Sequence, residues 1–420
     1  MHRIGCATPI ALVVLTGLAA TGCAGAAHGT GARDKDRAAS GCTVPSTRAV
    51  PQFRGAGAGE LLGPGRTGTR DEVPWSKVGS GWVLAETSGN TPPGSARPRY
   101  GPWTLYLVDP AGGRYLMYQW GAKAARTGPL LVDWSVNKSL ALIVSQASNG
   151  KLLIRQLDLA TGTLSAGFGL PSVDNVVGYD RASGLGVLAQ AYTGPNATVG
   201  SGPSEIVHYD LHGHVLGVLA RSRGSLSEAQ PPGGALAAVS SASGIKLVRP
   251  SDGAVVCRLA VRGAAAHGGC HPLRWWTATT VLALCVSHGL WLVPTSGARP
   301  VQLSPPRNGH GVDPAGDIGA WALPSGLYLQ AVGACGVIYI VKQLPSGVVR
   351  AVNIPGTVGN NNRVLGALGT RLLVRAETGC PGSDSLLWFD PANQAVQMLL
   401  RAPKDLSGVI GAIPYGWPGA

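Results

Sequence analysis

The sequence predicts an all-β fold: a seven-bladed β-propeller of four-stranded blades, carried behind a signal peptide and a flexible tether. Three observations predict it. A short strand-like run ending in a tight turn recurs at a spacing of about 40–50 residues, the length a propeller blade consumes. A second apolar run precedes each copy. The chain holds 62 Gly and 31 Pro but only 13% charged residues, a composition that disfavours long helices and favours many turns.

The N-terminus reads as an export signal over residues 1–22. Met1-His2-Arg3 is short and basic, Ile4 to Ala20 is apolar and uncharged, and small residues lead to Cys23. A basic end held at the cytoplasmic face, followed by a short apolar run, is the layout of a secretory signal. Ala20-Thr21-Gly22-Cys23 resembles a lipobox, which implies a lipid on Cys23 and tethering to the outer face of the cytoplasmic membrane. Ala20 stands where such motifs usually carry Leu, and the alternative is an ordinary signal releasing a secreted protein.

Residues 23–70 read as the lipidated Cys and a flexible basic tether. The segment is rich in Gly, Ala, Arg and Ser and lacks apolar periodicity, so it cannot bury enough surface to offset chain entropy. Residues 71–420 then form the propeller.

The repeat is explicit: LYLVDPAGG from Leu105, LIRQLDLATG from Leu153, IVHYDLHG from Ile206, IKLVRPSDG from Ile245, LWLVPTSG from Leu290, IYIVKQLPSG from Ile338 and LLWFDPAN from Leu386. Their alignment puts Asp109, Asp158, Asp210, Arg249, Pro294, Lys342 and Asp390 in one column. An Asp there accepts hydrogen bonds from backbone amides just downstream, and the following Gly or Asn tolerates the positive φ that closes the turn. The column is therefore turn structure rather than catalysis. Before each copy stands a central strand, such as WVLAETSG from Trp82, LALIVSQAS from Leu140 or LLVRAETG from Leu372. Such runs suit strands buried on both faces between stacked blades. The segment from Ser407 to Tyr415 is strand-like and is expected to supply the innermost strand of the first blade, near Trp75 to Val78.

WSVNKSLALIVSQ from Trp134, followed by LLIRQLDLATGTLS from Leu152, resembles a TolB-type or WD40-like repeat. The resemblance covers roughly Trp75 to Leu400. Together with the lipobox it is similar to the propeller part of LpqB-like envelope lipoproteins. It implies a fold, not an activity.

Eight cysteines are present. With Cys6 in the signal and Cys23 at the lipid, the remaining six in an exported chain read as disulfides. The strand order favours Cys270–Cys285 within one unit and Cys335–Cys380 between adjacent units, leaving Cys42–Cys257. His267, His271 and His288 near Cys270 and Cys285 match no common zinc spacing, so neither metal nor cofactor is expected. His208, His212 and His214 read as a surface turn. Trp75, Trp134, Trp275, Trp276 and Trp321 read as inter-blade packing. His310, Asp313 and Asp317 fall in a long loop, a possible rim site.

No nucleophile elbow, HExxH, P-loop or Rossmann fingerprint occurs. The net charge of +13 is scattered and the chain is exported, so no nucleic-acid partner is expected. The expectation is a cell-envelope lipoprotein, probed by a protein or polymer partner and attached to the membrane through its lipid. The alternatives are an extracytoplasmic propeller enzyme (hydrolase, lyase or quinone-dependent dehydrogenase) and a small-ligand sensor.

Overall fold

The computed structural model describes residues 66–89, 101–121, 128–134, 137–147, 149–171, 174–193, 202–223, 226–231, 234–262, 269–285, 289–304, 318–332, 338–357, 362–377, 384–401 and 408–416. Cys23, Cys42, Cys335, Cys380 and the loop holding His310, Asp313 and Asp317 lie outside them. Among the described residues the chain is all-β apart from one 3-10 turn at Arg70–Glu72. No helix there is long and apolar enough to cross a membrane.

The strands build antiparallel meanders arranged as a propeller. The strands Asn175–Tyr179, Gly186–Tyr192, Ser204–Asp210 and Val215–Ser222 show the pattern, each paired with the next. The central strands are apolar on both faces because each sheet face packs on a neighbour. Leu142 and Ile143 are both buried, yet they belong to different clusters, one on each side of their sheet. Trp134 is fully buried at such a junction, and Trp275 and Trp321 are buried at others, which places these three aromatics in packing.

Seven separate blades are not what forms: the strands join into five sheets, of nine, four, eight, four and five strands. The physical reason lies at two junctions where neighbouring meanders touch edge to edge. In the eight-stranded sheet a single antiparallel bridge, Ser241 with Cys270, joins two meanders. In the nine-stranded sheet a single parallel bridge joins Asp384 to Gly408.

The last strand, Gly408–Pro414, pairs antiparallel with Val83–Ser88 and so is innermost in the sheet that opens the chain. Its partner is this strand and not Trp75 to Val78, where Trp75–Lys77 forms a turn. Among the innermost strands, Gly408–Pro414 lies against Leu130–Asp133 and that against Asn175–Tyr179, Glu228–Ala229 lies against Cys270–Thr277, and Gly319–Leu323 lies against Arg363–Leu368, which lies against Gly408–Pro414.

The turn column behaves as local chemistry dictates. Asp109 accepts from the N–H groups of Ala111 and Gly113, Asp158 from Ala160 and Thr161, Asp210 from His212 and His214, and Asp390 from Ala392. Cys270 and Cys285 are cross-strand partners joined by a disulfide, with Cα atoms 4.0 Å apart. Cys257 is disulfide-bonded as well.

Candidate functional site

An innermost strand has one edge that faces no strand of its own sheet, so its backbone groups need other partners. Side chains from the neighbouring meander supply them at every seam. Glu86 Oε2 accepts from the Leu131 N–H at 2.9 Å. Asp133 Oδ2 accepts from the Tyr179 N–H at 3.0 Å. Gln230 donates to the Tyr179 carbonyl at 2.7 Å and accepts from the Arg181 N–H at 2.9 Å. The Trp275 indole donates to the Ala229 carbonyl at 3.1 Å, and Arg274 donates to the Ala320 carbonyl. Gln330 donates to the Asn362 carbonyl at 2.8 Å. Arg375 closes the circle, donating to the Ile410 carbonyl of the last strand at 2.7 Å.

The belt is densest at two adjacent seams. There Asp133, Asp180, Arg181, His208 and Glu228 converge. Arg181 stands 3.7 Å from Asp133, and His208 Nε2 stands 3.4 Å from Asp180. Asp180 also caps its own turn, accepting from the Ala182 N–H and the Ser183 hydroxyl. Two glycines make the room. A Cβ on Gly178 would lie 2.6 Å from Asp133 Oδ2, and one on Gly186 would lie 2.3 Å from His208 Nε2. Neither oxygen of Glu228 accepts a hydrogen bond from the described residues. Burial holds its carboxyl up at about 8, against the pull of Arg181 and with Asp133 and Asp180 adding to the rise. Burial likewise holds Glu86 up at about 8.

Carboxylate, imidazole and guanidinium together are the makings of acid–base chemistry, but this set is sealed. Asp180 is 1% exposed, Asp133 3%, His208 5% and Glu228 9%. A general acid or base must come within hydrogen-bond reach of its substrate; Asp133, Asp180, Arg181 and His208 reach backbone, a hydroxyl or one another instead, and Glu228 is buried beside them. The arrangement joins meanders.

The sequence had placed His208 with His212 and His214 in a surface turn. His208 instead sits buried within Ser204–Asp210, while the His214 ring pairs with the turn residue Asp210 at 2.9 Å and His212 bonds it through its backbone N–H. The sulfurs of Cys270 and Cys285 are bonded to each other, so neither is a thiolate ligand. His271 faces the Ser227 and Ser240 hydroxyls, and burial holds its pKa below the usual value. Sequence reasoning missed Asp133, Asp180, Arg181, Glu228 and Gln230. The available signal was a polar residue closing each short apolar run, as in Leu130–Asp133.

A second recurrent feature lies outside. Val215, Leu216, Val255, Val256, Val301 and Val349 are exposed at the starts of outermost strands, and Val348 is exposed just before one.

No protein-family model matches the chain, and no curated protein matches it. Among solved structures it is similar to TolB from Acinetobacter baumannii, at 13% identity and a TM-score of 0.42, over 79% of this chain and 66% of that one. It is also similar to a candidate 6-phosphogluconolactonase from Bacteroides uniformis, at 15% identity and a TM-score of 0.49, over 79% of this chain and 98% of that one. A third is the β-propeller domain of Cps50 (Swd1) from Myceliophteria thermophila, at 13% identity and a TM-score of 0.38, over 66% of this chain and 90% of that one. The chain thus spans just under two thirds of the TolB structure.

Proposed function

We propose that the protein is a lipid-anchored envelope module whose propeller binds a protein or polymer partner rather than turning over a substrate. One observation carries the reading. Among the described residues the clustered acid–base side chains are buried in the seams, with Glu86, Asp133 and Gln230 engaged with backbone, so that what the ring offers a partner lies on its ends and its perimeter. The strands join into five sheets, and the connections between them form loop-rich ends suited to docking. Export and a lipid on Cys23 supply the location. Cys335–Cys380 and Cys42–Cys257 belong to the same reading, as staples of an exported domain.

The experiment is cross-linking in intact cells that produce the full chain, compared with a variant whose residues 305–317 are replaced by a Gly/Ser segment of equal length. The reading expects a defined cross-linked partner that the variant loses while its melting temperature is retained. Equal cross-linking by both proteins contradicts the use of that loop, and an absence of any specific adduct contradicts the binding role.

A further inference from the structure

Of the nine large apolar side chains exposed among the described residues, all but Leu116 occupy one level of the ring. In each meander the turn between the first and second strands and the turn between the third and fourth lie at the same end. Leu185 precedes the second strand of its meander and is 71% exposed. Val215 and Leu216 begin the fourth strand of that same meander, at the same end. Val255 and Val256, then Val301, then Val348 and Val349 repeat the position in the three meanders that follow. The bridges Ser241–Cys270 and Asp384–Gly408 both join residues at the opposite ends of their strands, so the meanders share one orientation. Lone exposed apolar residues need no explanation, but a position repeated in four consecutive meanders does.

The chain also enters the ring at this end. Thr67–Thr69 runs parallel to Arg114–Trp120, with Thr67 opposite Arg114, and the Arg66 carbonyl accepts from the Arg114 N–H. Arg114 follows the turn at Asp109, so Arg66 stands at the turn end. The residues before it in the sequence, Cys23 included, are joined to the ring at this end.

We infer that the turn end of the ring rests on a lipid surface, with Leu185, Val215, Leu216, Val255, Val256, Val301 and Val349 as its contacts. The studs are spread over separate meanders at one level, and a flat surface is the partner that touches all of them together. Exposed Arg299 and Arg350 stand beside Val301 and Val349, a pairing of apolar and basic groups suited to anionic headgroups. The same end carries the turn residues Asp109, Asp158 and Asp390, each accepting from backbone amides, while Asp252 is engaged by Arg249 and Asp210 by His214. The opposite end then faces outward to the partner. The inference deepens the anchored reading and depends on it only for the orientation of the tether.

The test uses the full chain carrying Cys23→Ser, which removes the lipid, mixed with vesicles of phosphatidylglycerol and phosphatidylcholine. The ring itself is expected to sediment with the vesicles. Val215→Ser, Leu216→Ser, Val255→Ser and Val256→Ser combined are expected to reduce binding about tenfold or more at an unchanged melting temperature. Equal sedimentation of both proteins overturns the inference, as does no sedimentation of either, which assigns the studs to a protein interface. Mass spectrometry of the natural chain reads the lipid on Cys23 separately, so a missing anchor and a missing lipid contact are distinguishable.

Discussion

Glu86 and Leu131 are joined across a seam, the carboxylate of one meander accepting the backbone N–H of the next at 2.9 Å, with Glu86 only 1% exposed. The carboxyl that makes this bond is held at about 8 by burial, as is Glu228 two seams further round. The ring is therefore assembled with at least two carboxyls that favour their protonated form.

Stability is expected to fall as pH rises. A carboxyl whose folded pKa lies above its unfolded value, here about 8 against 4.5, binds its proton more tightly in the ring than in the unfolded chain. Its stabilising share is fully present below the unfolded value and is lost as pH climbs through about 8. Asp174, raised to about 6 by burial, adds to the fall over a narrower range. The loss is of order 2 kcal/mol per glutamate between pH 5 and pH 7. Glu86→Gln with Glu228→Gln should flatten the dependence of melting temperature on pH, and an equally steep variant refutes this assignment.

Asp133→Ala removes the acceptor for the Tyr179 N–H and strips Arg181 of its buried partner. A broken buried pair leaves an uncompensated charge, so the expected cost is about 3 kcal/mol. Asp133→Asn keeps one acceptor oxygen and should cost less. Denaturant unfolding at neutral pH orders the three proteins, and a silent alanine variant would show the seam to be slack.

Gly186→Ala places a methyl 2.3 Å from His208 Nε2 and 2.6 Å from the Tyr209 carbonyl. The imidazole can shift but the paired backbone cannot, so a cost of about 1–3 kcal/mol is expected. Thermal melting checks it. Combination with His208→Ala should restore only part of the loss, because the Tyr209 carbonyl stays in place.

The legible parts of this fold are the local ones. Asp109, Asp158, Asp210 and Asp390 bond amides two to four residues downstream, and a repeat read along the chain finds them. Trp134 and Trp275 were legible as packing because large aromatics at unit starts have little else to do in a stacked fold. Glu86, Asp133 and Gln230 were not legible, since each bonds a backbone group 45 to 51 residues away in a neighbouring meander. His208 was misplaced for a related reason: its neighbours His212 and His214 belong to the turn, while the alternation of its own strand turns it inward toward Asp180. The number of separate sheets depends on single contacts at Ser241 and Gly408, which no periodicity encodes.

The closed ring is the claim on which the seams, the sealed cluster and the common turn end all depend, and its last strand tests it most directly. Deletion of residues 408–420 removes the innermost partner of Val83–Ser88 and the Ile410 carbonyl that Arg375 engages. Thermal unfolding followed by circular dichroism, with size-exclusion chromatography of the same samples, reads the outcome. The ring predicts loss of the cooperative transition and self-association through the exposed edge. A truncated chain that stays monomeric and melts at the full-length temperature would contradict it.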